Sequence, residues 1–128
     1  MSFLKNIFGS NDAPKQNESK INWVELTDLS QLDEITTQSS EKIVAIFKHS
    51  TRCSISRMAL KQFENEFDSA EKVIPYFLDL IEYREISNAI ASRFGITHQS
   101  PQLIVIKNGK AVYNASHSDI DAETLKSL

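Results

Sequence analysis

The chain has one cysteine, Cys53, and the residue types around it favour thiol chemistry. It follows an apolar run at 43–47 that is typical of a buried strand, and it precedes an amphipathic helix beginning near Ser54. At such a junction, unpaired backbone N–H groups and the positive end of the helix dipole stabilise a thiolate. Lys48 and Arg52 add positive charge close in sequence. We therefore predict that Cys53 is a reactive nucleophile rather than an inert core residue.

Ser56 stands three residues after Cys53, where a dithiol oxidoreductase carries its second cysteine. A hydroxyl cannot close a disulfide, so a mixed disulfide at Cys53 must be resolved by a thiol from another molecule. Ser56 could hydrogen-bond the thiolate, or it could serve the first helical turn as an ordinary serine. The sequence leaves both roles open. A single cysteine also excludes a fold stapled by internal disulfides.

A proline precedes the last buried apolar run, in the dipeptide Ser100–Pro101. Proline cannot donate to the hydrogen-bond ladder of a strand, so it is expected where that strand begins. Only about 5–6% of X–Pro bonds are cis, so the residues alone favour a trans bond here. His98 lies on the same loop, three residues before Pro101.

Strand and helix signals alternate from about residue 21 onward. Strands are indicated at 22–26, 43–47, 73–80, 103–106 and 111–113, and helices at 29–36, 54–67, 83–94 and 121–128. Asn108–Gly109 between the last two strands is a strong hairpin signal. The order predicts an α/β fold, with a central mixed sheet, crossover helices on both faces and an antiparallel hairpin at one edge.

Length and composition fit one globular domain. The 128 residues are 41% hydrophobic and 24% charged, which is enough apolar material for a core. The formal net charge of −3 argues against nucleic-acid binding, which requires clustered positive charge. Apolar runs of about five or six residues are far short of the roughly 20 that span a membrane. The histidines show no spacing typical of metal ligands.

The sequence divides into a tail and linker at 1–20 and a folded domain at 21–128. Residues 9–20 are polar and contain glycine and proline, so we expect a flexible linker. Before them, four apolar side chains have the spacing of one helix face: Phe3, Leu4, Ile7 and Phe8. This face would suit a membrane-surface or partner contact, although a frayed or self-docked tail is the simpler interpretation. The segment lacks signal-peptide features, so we expect a cytoplasmic protein.

Together these residues resemble the thioredoxin superfamily and, more narrowly, the YtxJ-type monothiol bacilliredoxins. The matching stretches occur in order at 47–56 (FKHSTRCSIS), 76–80, 83–87, 93–95, 98–102 and 115–120. The resemblance implies a thioredoxin-like three-layer sandwich in which Pro101 is the family's cis-proline, packed against the active-site cysteine. It also implies that Ser100 offers its backbone to an extended substrate and that the loop carrying His98 faces Cys53. His98 is therefore a candidate for substrate contact. The family motif reads Thr-Cys-Pro-Ile-Ser, whereas Arg52 and Ser54 replace the threonine and proline here.

The resemblance implies a monothiol thiol–disulfide oxidoreductase that removes bacillithiol from S-bacillithiolated client proteins. The Cys53 thiolate would attack the mixed disulfide, release the protein thiol and retain bacillithiol. A second bacillithiol, or another bacilliredoxin, would then restore the Cys53 thiol. We expect no tightly bound cofactor or metal, with bacillithiol or another low-molecular-weight thiol as co-substrate.

Three other functions differ in what they require of the chain. A glutaredoxin-like carrier would use glutathione or hold an iron–sulfur cluster, but Ser54 and Ile55 depart from the Cys-Gly-Phe-Ser motif of monothiol glutaredoxins. A non-catalytic thioredoxin-fold module would hold a partner peptide in the groove at Pro101 and would not need Cys53. A thiol peroxidase is disfavoured because no Pro-x-x-x-Thr-x-x-Cys pattern ends at Cys53.

Overall fold

A computed structural model describes residues 21–128 of the chain. The helices and strands are β1 (Val24–Glu25), α1 (Gln31–Gln38), β2 (Ile43–His49), α2 (Ser54–Glu66), β3 (Val73–Asp79), α3 (Arg84–Phe94), β4 (Gln102–Lys107) and β5 (Lys110–Ser116). Two 3-10 segments follow, at His117–Asp119 and Ala122–Ser127. The tail and linker expected at 1–20 lie outside the described residues, so the boundary at residue 21 stays a prediction.

Five strands form one mixed sheet in the order β1-β3-β2-β4-β5. β1, β3 and β2 are parallel, and β4 runs antiparallel to β2 with Gln102 opposite Lys48. β4 and β5 form the hairpin that the sequence predicts. Asn108 and Gly109 occupy its tip with φ of 53° and 77°, the left-handed conformation that a tight turn of this kind requires.

β2 is the central element of the core, and all seven of its residues are buried. Phe47 on one face of the sheet belongs to a cluster with Phe63 of α2. Ile46 on the other face belongs to a second cluster with Ile90 of α3, which α1 also joins. The helices therefore cover both faces, and the predicted α/β layering with a doubly buried central strand is confirmed.

The amino-terminal elements are shorter or later than the sequence predicts. Only Val24–Glu25 pairs with β3, and both side chains are exposed. Packing against the core therefore does little to stabilise a longer strand here. Helix α1 begins at Gln31 rather than near residue 29 because a turn precedes it. The Gln31 side chain accepts the backbone N–H groups of Thr27 and Asp28 at 2.7 and 2.9 Å and closes that turn.

The predicted carboxyl-terminal α-helix is wrong. Residues Ala122–Ser127 form a 3-10 segment, capped by the Asp121 side chain, which accepts the N–H of Glu123 at 2.9 Å. The tighter 3-10 winding places residues three apart on one side. Residues three apart also share a side in an α-helix, so the spacing of Ala122 and Leu125 that predicts a helix is met equally by the 3-10 form, in which both are buried in the α2 side of the core.

Candidate active site at the Cys53 turn

Cys53 directly precedes α2 and occupies its N-cap position, with extended backbone angles of φ −111° and ψ 123°. Its N–H donates to the carbonyl of Ser50 at 3.2 Å, and its own carbonyl accepts the N–H of Arg57 at 3.1 Å. The side chain is partly buried. The first turn of α2 contains no acidic residue, so the positive helix end near the thiol is not neutralised by a neighbouring carboxylate.

Pro101 lies at the end of the sheet where the chain leaves β2 and continues to Cys53. Because β4 is antiparallel to β2, the residue before β4 stands beside the carboxyl end of β2, from which the chain continues to the cysteine. The peptide bond before Pro101 is cis, as the family resemblance implies and against the trans bond that the residues alone favour. The Pro101 carbonyl accepts the N–H of His117 at 3.0 Å, which brings the segment after β5 to this end of the sheet as well.

The loop before the cis bond is braced from within. The buried amide of Gln102 donates to the Thr97 carbonyl at 3.0 Å and accepts the N–H of Gln99 at 3.3 Å. Ser100 follows these braced residues, and no hydrogen bond to it is found within residues 21–128. Its backbone is therefore available to an extended ligand, as a substrate-aligning segment requires.

Ser56 is fully buried, and its hydroxyl is used by the turn that carries the cysteine. The Ser56 Oγ lies 2.7 Å from Nδ1 of His49 and accepts the N–H of Ser50 at 3.0 Å. These contacts tie the end of β2 and the following turn to α2. They correspond to the second of the two roles that the sequence leaves open, support of the first helical turn.

His49 is the contributor whose role sequence reasoning could not assign. It is the last residue of β2 and is 5% exposed, and its contact with Ser56 places its ring on the α2 side of the sheet. Burial lowers the pKa of His49, Arg57 acts in the same direction, and Asp79 opposes them. The lowered pKa favours the neutral form of the His49 imidazole, which lies beside Ser56. Strand alternation was the available signal, because it places His49 on the face that α2 covers.

Lys48 points to the opposite face of the sheet, where it is completely buried. Its Nζ donates to the carbonyl of Ser87 in α3 at 3.4 Å and lies 3.2 Å from Nδ1 of His98. Burial lowers the pKa of Lys48 to about 8. Partial desolvation, with the positive charges of Lys48 and Arg84, lowers the pKa of His98. The polar contacts of His98 are thus on the α3 side, whereas α2 and Ser56 pack on the other.

The remaining predicted site residues lie at the surface. Arg52 and Ser54, on either side of the cysteine, are both exposed. Arg57 is also exposed, and its guanidinium donates to the carbonyl of Thr51 at 3.2 Å. Arg52 and Arg57 therefore place two exposed positive charges within four residues of the cysteine in the chain.

Within residues 21–128, no three histidine, cysteine or acidic side chains gather in an arrangement that could hold a metal ion. Among the helices of that part of the chain, none is both long enough and apolar enough to cross a bilayer.

Comparison with known proteins gives one family and many structures of similar fold. Residues 24–125 match the family model described as monothiol bacilliredoxin BrxC. A solved structure provisionally described as an oxidoreductase with a thioredoxin fold is 31% identical, with a TM-score of 0.69, over 81% of this chain and 90% of that chain. Malassezia sympodialis thioredoxin is 22% identical, with a TM-score of 0.64, over 88% and 92% of the two chains. A poplar thioredoxin h mutant is 16% identical, with a TM-score of 0.66, over 89% and 84%. The predicted thioredoxin-like fold is confirmed.

Replacing Lys48 with methionine should alter how stability depends on pH. The folded chain releases the Lys48 proton near pH 8, whereas the unfolded chain holds it until about 10.5. Unfolding therefore takes up a proton in this window, and the free energy of unfolding should rise with pH by up to about 3 kcal/mol. Lys48→Met lacks this term. Urea denaturation of both proteins at pH 7 and pH 10 measures it, and parallel changes in the two would contradict the assignment.

Replacing Ser56 with alanine should destabilise the fold, because it leaves the half-buried N–H of Ser50 and the buried His49 ring without their partner. We expect a loss of about 1–3 kcal/mol in the free energy of unfolding. Ser54→Ala is the matched control, because Ser54 is exposed and lies two residues before Ser56 in the same helix. It should change the free energy of unfolding by less than about 0.5 kcal/mol. Equal losses in urea denaturation of the two variants would refute the anchoring role.

Proposed function

Because the chain belongs to the monothiol bacilliredoxin family, we propose that it removes bacillithiol from S-bacillithiolated proteins by way of a mixed disulfide at Cys53. The family and the fold establish the broader class, a thioredoxin-like thiol–disulfide oxidoreductase. One observation carries the finer proposal. The single cysteine occupies the N-cap position of α2, at the same end of the sheet as the cis-proline loop.

The first step transfers the small thiol. The Cys53 thiolate attacks the bacillithiol sulfur of the client's mixed disulfide, so a new S–S bond forms as the old one breaks. The client cysteine leaves as a thiolate and takes a proton from solvent. The attack starts from the amino end of α2, where the helix dipole is positive, and the exposed Arg52 adds a positive charge at the preceding residue.

The second step needs another molecule, because the sequence contains no second cysteine. A bacillithiol thiolate attacks the bacillithiol sulfur held on Cys53, giving bacillithiol disulfide and the free Cys53 thiolate. A second bacilliredoxin could supply the attacking thiol instead. Ser56 cannot replace either one, since its oxygen forms no disulfide and already binds His49 and Ser50.

Client positioning is assigned to the cis-proline loop. An extended client segment could pair with the backbone of Ser100, which has no hydrogen-bond partner within residues 21–128. Gln102 braces the loop from behind, so the pairing edge is held before the client arrives. The reaction requires a pool of reduced small thiols, and we therefore propose the cytoplasm as its location.

Intact-mass analysis tests the transfer directly. The full chain is mixed with a bacillithiolated protein and, in parallel, with the same protein glutathionylated, and Cys53→Ser is the control. We expect bacillithiol on the wild-type chain, a reduced client, slower transfer of glutathione and no adduct on the variant.

The alternatives give different results in the same experiment. Faster transfer from the glutathionylated protein would favour a glutaredoxin-like carrier. No transfer from either protein, together with unchanged client binding by Cys53→Ser, would favour a non-catalytic binding module.

A further inference from the structure

An apolar groove begins two residues after the cysteine, between α2 and the segment that follows β5. Ile55, Met58 and Ala59 of α2 line one side, and His117 and Ile120 line the other. The groove has a volume of about 160 Å³. A cavity of about 150 Å³ is known to hold a benzene molecule, so the groove has room for one phenyl ring.

The α2 side of the groove is unusually open to solvent. Met58 is 72% exposed and Ile55 is 56% exposed, the two highest values among the large apolar side chains of residues 21–128. They are three residues apart on one helix, so they form a single patch rather than scattered exceptions. A joined apolar patch beside a groove of this size marks a surface that binds something.

We propose that residues 3–8 of the same chain cover this groove, with the phenyl ring of Phe3 or Phe8 inserted between α2 and the segment at 117–120. The sequence there, FLKNIF, carries four apolar side chains at the spacing of one helix face and polar side chains on the other. An apolar face of this kind is what hydrophobic grooves bind in other proteins.

The tether permits this placement. Ile21 is buried in the same core cluster as Phe63 and Ile120, so the chain enters the domain on the sheet face that carries the groove. Ile21 precedes β1 at one edge of the sheet, and the groove lies beyond the carboxyl ends of β2 and β5, so the two are separated by up to about 23 Å along the strands and about 19 Å across them, or about 30 Å in all. Residues 9–20 can extend to about 40 Å, so they reach it without passing around the sheet.

Tethering also determines which occupant is favoured. A segment joined by a short linker is present at an effective concentration in the millimolar range, so weak binding is enough to fill the groove. A client or a second copy must reach that occupancy from solution. The proposal concerns where the segment lies, and it holds whichever small thiol Cys53 transfers.

Photo-cross-linking of the full chain tests the contact. Phe3 or Phe8 is replaced by p-benzoylphenylalanine, and the product is irradiated at low micromolar concentration and digested. A cross-link within one chain to the fragment containing Met58 is the expected result. A covalent dimer would identify a second copy as the occupant and overturn the proposal. Cross-links elsewhere in the chain, or none, would overturn it as well.

Methionine labelling gives an independent measurement, because the chain has only Met1 and Met58. Solvent paramagnetic relaxation of the ¹³C-methyl group of Met58 reports its exposure, and Met58→Leu assigns the signal. Replacing Phe3, Leu4, Ile7 and Phe8 together with serine should increase the relaxation rate about twofold if the groove is at least half occupied.

The matched control changes the opposite face of the segment. Lys5→Ser with Asn6→Ser should leave the Met58 relaxation rate at its wild-type value. Equal rates in the wild type and in the fourfold serine variant would show that the groove is open in the isolated chain, which contradicts the proposal.

Discussion

The last two residues of β2 are buried polar side chains that point to opposite faces of the sheet, and each must find a partner there. An unpaired buried polar group costs about 1–3 kcal/mol, a large fraction of the stability of a domain this size. His49 meets Ser56 of α2 on one face, and Lys48 meets Ser87 of α3 and His98 on the other. These contacts fasten two helices and the loop before the cis-proline to the strand end from which the cysteine turn departs. The geometry around Cys53 thus depends on hydrogen bonding beneath it.

Ser56 and Cys53 have different roles in this arrangement. Ser56 supports the turn, while Cys53 at the N-cap of α2 remains partly accessible. The amino end of a helix interacts favourably with negative charge, and in disulfide exchange a sulfur carries such charge both when it attacks and when it leaves. The proposed reaction and the support of the turn therefore involve different side chains, and no hydrogen bond of the Cys53 side chain is found within residues 21–128.

Much of the fold could be predicted because local pattern and tertiary packing agree. The apolar run at 43–47 is buried on both faces, and Asn108–Gly109 forms the expected hairpin tip. The carboxyl-terminal segment was mispredicted because its choice between α and 3-10 winding depends on how Ala122 and Leu125 meet the core. Residue statistics favour a trans bond before Pro101, so only the family resemblance indicated the cis bond that is observed. The pairing of His49 with Ser56 joins residues whose orientations depend on the packing of α2 against β2, which no short motif encodes.

The anchoring of Ser56 bears on how one- and two-cysteine members of this fold can interconvert. A single codon change would place a second thiol at this position, yet sulfur is a poor hydrogen-bond acceptor for the N–H of Ser50 and for the His49 ring. A lineage that acquired a resolving cysteine here would have to replace the histidine as well, or tolerate a loosened turn in the interval. The ancestry of the monothiol form is thereby coupled to a residue at the end of the preceding strand.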